Sequence, residues 1–313
     1  MRLPRSHRWL AATAGLALAL TACNGNGNGD DGPDDLDVDD EAAAEIPDGP
    51  DITVASFNFP ESQIVAEIYA QALEEAGYPV ERQMDLGARE LVFPELQGGG
   101  LDLLPEYLGS AIVVGFDEEA PTDVDDGVET LGELFAEDDV AVLEPAPAES
   151  ANVFVTTSAF AEENGLANVS DLADVGDITF TGPPECQDRE TCYAGLTDVY
   201  GLDNISFDAV QETAARVQAL EAGENELTLL FSTDAILGVA DLEVLDDDEN
   251  IVPPENITPL LRDEIIDAYG DDLVELIDGI SALITTDVLI ELNLEESEGI
   301  APAEVAADWL GRQ

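Results

Sequence analysis

Lysine is absent from the 313 residues, and histidine occurs once, as His7. His7 falls in a stretch read below as a removable leader, so the mature chain is expected to contain neither residue. That excludes a histidine general base, Ser-His-Asp and Cys-His nucleophile arrangements, Schiff-base lysines and His-containing zinc sites. Carboxylate chemistry of the glycosidase kind is the enzymatic route left, and no spacing of acids in the sequence singles out a pair for it. All 9 basic residues are arginine, and they face 71 acidic ones, for a formal net charge of -62. Such a surface repels nucleic acid and anionic membrane, so neither is expected as a partner. Beyond the N-terminal run, no stretch approaches the ~20 apolar residues that span a bilayer. There is no Gly-x-Gly-x-x-Gly or phosphate-loop pattern, and no cofactor or metal is expected.

What is present points to an exported globular protein. The hydrophobic share of 45% is ordinary for a folded domain. Arg2, Arg5 and Arg8 precede an apolar run that closes on Leu20-Thr21-Ala22-Cys23. That tetrapeptide resembles the lipobox of bacterial lipoproteins, which implies a signal peptide over residues 1–22 and lipidation of Cys23. A plain secretory signal with an incidental cysteine is the alternative. Residues 23–50 combine Gly, Asn and Asp without apolar periodicity, the composition of a self-repelling acidic tether. Dense carboxylates and missing lysines resemble proteins of salt-loving organisms, where a Debye length of about 3 Å at 1 M salt screens repulsion. With Cys23 assigned to lipid, Cys186 and Cys192 remain as a pair in an oxidising setting. A disulfide holding Arg189 between them is expected, with two free thiols as the alternative.

From Asp51 the pattern alternates strand and helix. "DITVAS" reads as a strand, and "PESQIVAEIYAQALEEAGY" as a helix with Pro60 in its first turn and Gly77 past its end. "PVERQM" and "LDLLPEY" read as strands, with a helix over "ARELVFPELQGG" between them. This alternation predicts an α/β protein with mainly parallel sheets. "PAPAESA" at 145–151 and Pro253-Pro254 mark two breaks, and everything from "LLRDEII" onward reads as helical. The breaks predict a first lobe over 51–148, a second over 149–252, and a return to the first over 253–313. Two lobes joined by two crossings make a cleft that closes on a small ligand.

Several stretches then coincide with one family. "SFNFPESQIVAEIYAQALEEAGYPVER", "GGGLDLLPEYLGSAI", "GPPECQDRETC", "LLFSTD" and "ITTDVLIELN…APAEVAADWL" resemble substrate-binding proteins of glycine betaine/choline ABC importers, over about Asp51 to Leu310. The resemblance implies a type II periplasmic-binding-protein fold, a quaternary ammonium ligand, no catalytic activity, and an ABC permease as partner. It also implies a monomer tethered outside the cell membrane by lipid alone. Aromatic faces hold a quaternary ammonium by cation–π attraction of ~0.5–2 kcal/mol each. A carboxylate at the ligand's other end calls for a bidentate arginine. By motif, the family's tyrosine cage, hydroxyl and arginine fall on Tyr107, Ser110, Phe154, Phe231 and Arg189. Phe57 stands where relatives often carry lysine, and Glu255 where they carry a further tyrosine. Each has a plainer reading: core packing for Phe57, Phe59, Phe154 and Phe231, surface charge for Glu255, and helix capping for Asp234. A ligand-sensing module without transport and a two-carboxylate hydrolase compete with the importer reading.

Overall fold

The computed structural model describes residues 49–313; the leader, Cys23 and nearly all of the acidic tether lie outside the described residues. The first sheet is built from β1 (Ile52–Ala55), β2 (Val80–Gln83), β3 (Leu103–Tyr107) and β4 (Val140–Val142). Helices α1 (Pro60–Ala76), α2 (Arg89–Gln97), α3 (Leu108–Ser110) and α4 (Val124–Phe135) connect them. Helix α1 starts with Pro60 in its first turn and stops at Gly77, whose φ of 101° only glycine adopts without strain. It buries Ile64, Val65, Ile68, Tyr69 and Leu73 and packs against the C-terminal helix.

The chain then builds a second sheet from β5 (Asn152–Thr157), β6 (Ile178–Gly182), β7 (Ile205–Ala209), β8 (Leu227–Phe231) and β9 (Leu242–Leu245). Around it lie α5 (Ser158–Asn164), α6 (Tyr193–Asp198) and α7 (Thr213–Ala222). It returns as β10 (Ile257–Arg262), followed by α8 (Asp263–Tyr269), α9 (Asp271–Ser281), α10 (Thr286–Ser297) and α11 (Pro302–Leu310). Strand order is β2-β1-β3-β10-β4 in one sheet and β7-β6-β8-β5-β9 in the other. Each sheet has its own core, one with Phe135, Leu103 and Leu260, the other with Phe154, Phe180 and Leu227.

The sheets are mixed rather than mainly parallel. Strand β10 runs antiparallel to both β3 and β4, and β5 antiparallel to both β8 and β9. Each is the strand by which the chain enters a lobe from its neighbour, so it arrives against the direction of the parallel strands. The helix expected from "LLRDEII" begins only at Asp263; Leu260 to Arg262 belong to β10. Pro259 in the middle of that strand hides it from a reading by pattern, since proline argues against a central strand.

The two crossings run side by side. Ser150 N donates to Glu255 O at 3.0 Å, and Glu149 and Asn256 form an antiparallel bridge. The carboxyl ends of the parallel strands border this join in both lobes. Leu108 N, just past β3, donates to Asn256 O at 3.1 Å, and Ser232 N, just past β8, to Ala151 O at 2.8 Å. Ligands of open α/β sheets bind beyond the carboxyl ends of strands, which directs attention to these two edges.

Cys186 and Cys192 form a disulfide with Cα atoms 5.3 Å apart, and both are buried in the second core. Closing so short a loop restricts the unfolded chain by about 2 kcal/mol. A Cys186→Ala/Cys192→Ala protein is expected to lose roughly that much in denaturant unfolding. An unchanged midpoint would show that the bridge contributes nothing to stability.

Candidate functional site

Beyond β1 the chain turns through Ser56 to Phe59 before α1 begins. Phe57 N donates to Ser62 Oγ at 2.9 Å, which fixes this turn on the first helical residues. The Phe57 and Phe59 rings stack with centroids 5.9 Å apart and planes 11° apart. Tyr107, at the end of β3, brings its ring to 5.7 Å from Phe59. Phe57 and Tyr107 are 2% and 7% exposed, whereas Phe59 is 38% exposed and forms the open face of the trio. A plain core role for Phe59 therefore does not hold.

Beneath the rings lies a set of paired charges. Glu106 is fully buried in β3, and its carboxylate accepts from Nε and Nη2 of Arg89 and from Tyr107 N. Burial pushes the Glu106 carboxyl up, and the bidentate Arg89 pulls it back. The same guanidinium lies 5.1 Å from the Phe57 centroid, over the ring face. Tyr107 Oη donates to Glu61 Oε1 at 3.0 Å; burial and this acid hold the phenol neutral, far above its usual range. Glu61 Oε2 accepts from Asn293 Nδ2 at 2.7 Å, and that amide also donates to Thr233 O of the second lobe at 2.9 Å.

Glu255 reaches this edge through the return crossing. Ser110 donates to it twice, N to Oε2 at 3.0 Å and Oγ to Oε1 at 2.8 Å. Its carboxyl is pushed up to about 7, first by burial, with Glu106 adding to the rise and Ser110 and Arg89 opposing it. The geometry depends on Gly109, where an added Cβ would stand 2.7 Å from Pro253 Cγ and 2.9 Å from Pro254 O. Only a residue without a side chain lets the crossing approach this closely.

On the second lobe's edge, Phe231 is 49% exposed at the end of β8, and its N–H donates to Asp234 Oδ2 at 2.9 Å. Asp234, raised by burial, thus closes the turn after the strand. Arg189 is exposed on the disulfide loop, whose Thr191 O accepts from Asn152 Nδ2 at 3.2 Å, tying the loop to the start of β5. Among the described residues, Arg189 is the one arginine whose side chain makes no hydrogen bond or ion pair. Arg82, Arg89 and Arg312 pair with glutamates, and Arg216 and Arg262 bond backbone carbonyls.

Of the residues expected from sequence, Phe57, Tyr107, Ser110 and Glu255 thus come together on the first edge, while Phe231 and Arg189 lie on the second lobe. Phe154 is elsewhere. It is 1% exposed, paired in β5 with Leu229 and Leu245 and packed on Phe180 at 5.8 Å, because strand alternation turns it into the second core. The sequence reading left Phe59 open between core packing and the cage, and it missed Arg89, Glu106, Glu61 and Asn293. Helical and strand positions of acids carry no signal of such long-range pairing.

Residues 50–312 match the family model described as the substrate binding domain of ABC-type glycine betaine transport systems. The chain belongs to that family. It is accordingly a solute-binding protein of an ABC importer, not an enzyme, and works outside the cytoplasm. No helix among the described residues is long and apolar enough to cross a membrane. It is 27% identical over 280 residues to the glycine-betaine-binding protein of Pseudomonas aeruginosa, covering 86% of this chain and 89% of the relative. It is 25% identical over 265 residues to the glycine betaine-binding protein YehZ of Escherichia coli, covering 80% and 86%. The fold matches a structure described as a glycine betaine/carnitine/choline ABC transporter with a TM-score of 0.77 at 23% identity, covering 84% of this chain and 98% of that one.

Glu255 makes stability depend on pH with a definite sign. A carboxyl raised from 4.5 to about 7 in the folded state stabilises fully below 4.5, and that contribution is lost as pH rises through 7. Relative to Glu255→Gln, the wild type should lose at most about 3 kcal/mol across that window. Parallel pH profiles of the two proteins in thermal unfolding would contradict this. Gly109→Ala should cost about 1–3 kcal/mol by pushing Pro253-Pro254 away, read in the same unfolding assay; an unchanged midpoint would mean that the crossing yields without strain.

Proposed function

We propose that the protein captures a quaternary ammonium osmolyte, of the glycine betaine or choline kind, and hands it to an ABC permease. The observation that carries this reading is the trio of Phe57, Phe59 and Tyr107 at the carboxyl edge of the first sheet, backed by buried carboxylates. A quaternary ammonium donates no N–H hydrogen bond, so it selects ring faces and negative potential over directed acceptors. In this reading the cationic head rests against the trio, Ser110 and Glu255 bound it, and Phe231 covers it from the second lobe. Arg189 takes a carboxylate at the ligand's far end, supported by its lack of any other side-chain partner. Names of relatives that mention glycine betaine and carnitine support the same ligand class.

Bridging both lobes, the ligand supplies the differential contacts that favour the closed state. The first lobe is assigned to 51–148 and 253–313, and the second to 149–252. Lipidation at Cys23 after a signal peptide over 1–22 would anchor a monomer to the outer face of the cell membrane through the 23–50 tether. Adaptation to high salt accounts for the formal charge of -62 and suits a protein that gathers compatible solute.

Calorimetric titration with glycine betaine and with choline tests this. Tyr107→Ala should weaken both by about 10-fold or more, the loss of one good ring contact and its packing. Arg189→Ala should weaken glycine betaine far more than choline. Equal losses for both ligands in the arginine variant would make Arg189 structural, and no heat from any quaternary ammonium would sink the assignment.

A further inference from the structure

Three carboxylates, Glu61, Glu106 and Glu255, stand around the aromatic trio with a single guanidinium among them. That guanidinium, Arg89, turns its Nε and Nη2 donors to Glu106. The chain has no lysine to supply a second cation. Arg82 is bound to Glu67 and Glu74, and Arg262 to the carbonyls of Leu96 and Gln97. Glu61 is held by the Tyr107 hydroxyl and the Asn293 amide. Glu255 is held only by Ser110, and its carboxylate has lone pairs left over. Neither Glu61 nor Glu255 has a positive partner in contact; Glu61 is tied through Asn293 into the network that joins the lobes, which leaves Glu255 as the acid held by one residue alone.

We propose that Glu255 sets the ligand preference by counting charge: it serves as counter-ion to a ligand with a net positive charge, and selects such a ligand over a zwitterion increasingly as it ionises. The inference rests on the reading that the aromatic trio receives a quaternary ammonium head, and it adds which member of that class is preferred and when. A monocation over the rings supplies the missing positive charge, so it binds best to the ionised carboxylate and releases a proton when it meets the protonated one. A zwitterion brings its own carboxylate, which cancels much of that gain.

The sign follows from linkage. A cation lowers the proton affinity of Glu255, so cation affinity climbs with pH through the window near neutrality in which the free protein's carboxyl titrates, then levels off. The charged groups that act on Glu255 are Arg89 from α2 and Glu106 from β3, and Glu149, also raised by burial, lies on the adjacent crossing next to Ser150, whose N–H donates to the Glu255 carbonyl. Tyr107 stays neutral, and burial raises the Glu106 carboxyl while Arg89 lowers it; a slope that came from that pair would survive Glu255→Gln. Glu149 is the neighbour that needs a control.

The test is calorimetry with choline, tetramethylammonium and glycine betaine from pH 5.5 to 8.5 at fixed salt, in two buffers of different ionisation heat. Wild type, Glu255→Gln and Glu149→Gln are compared. For the wild type, affinity for choline and tetramethylammonium should rise about tenfold across the range, the equivalent of one unit of coupling, with proton release on binding. Glycine betaine should change by less than about threefold. Glu255→Gln should bind both cations with a flat profile near the wild type's acid limit, while Glu149→Gln keeps the slope. A flat wild-type profile, a slope that survives Glu255→Gln, or a slope lost in Glu149→Gln overturns the role of Glu255 and leaves the ligand class standing. Absence of binding by all three ligands in the wild type overturns both.

Discussion

Because β10 returns antiparallel to β3, with Ile257 opposite Tyr107 and Thr258 opposite Glu106, residues far apart in sequence meet at one edge of the first sheet. Glu255 lies two positions before that pairing begins and so falls beside Ser110, three residues past the end of β3. The same pairing closes the gap between β3 and β4 and anchors one of the two crossings. Gly109 is part of the constraint, since any side chain there would meet Pro253 and Pro254 and lift the crossing from the sheet. The site, the hinge and the completeness of the first sheet are thus consequences of one strand pairing.

Much of the local structure was legible in the residues. The Pro60 start, the Gly77 stop and the apolar face between them specify α1 almost to the residue, because caps and periodicity act over a few positions. "LDLLPEY" is a strand, and the Tyr of its last position lies at the carboxyl edge of the sheet beside Phe59. Strand β10 was not legible. Its proline and its direct continuation into α8 mimic the start of a helical region, and only pairing with β3 and β4 makes it a strand. Phe154 shows the limit of reading side chains from motifs. The strand is where the pattern sets it, but which face of β5 turns inward depends on where Phe180 and Leu227 lie. The Arg89–Glu106 pair was equally hidden, since nothing in two separate segments announces that their charges will be buried against each other.

Arginine is scarce enough here that its placement is informative. In a chain with this excess of acids, a cation left to itself finds a carboxylate or a carbonyl, and five of the six described arginines have done so. The bidentate Arg89–Glu106 pair is the costly case, because both ions leave water, and removing either alone would strand a buried charge worth about 3–5 kcal/mol. Its position under Phe57 joins it to the ring face, so that the pair also fixes the aromatic trio. Arg189 differs from the others in being held by backbone bonds at both ends of its loop while its side chain stays unengaged.

Electrostatics at the site and at the surface respond differently to salt. The surface carries a formal charge whose self-repulsion is screened within about 3 Å at 1 M ionic strength, so high salt relieves the compact state. Glu106, Glu255 and Glu61 are shielded from that screening by the sheet edge and the rings above them, and their pairing with Arg89, Ser110, Tyr107 and Asn293 persists where exposed ion pairs fade. The Asn293 amide extends this shielded network across the join, since it bonds Glu61 of the first lobe and the Thr233 carbonyl of the second. Thr233 in turn shares a hydroxyl contact of 2.9 Å with Ser150 on the first crossing. Tyr107, the acids around it and the crossings are therefore parts of one hydrogen-bonded unit.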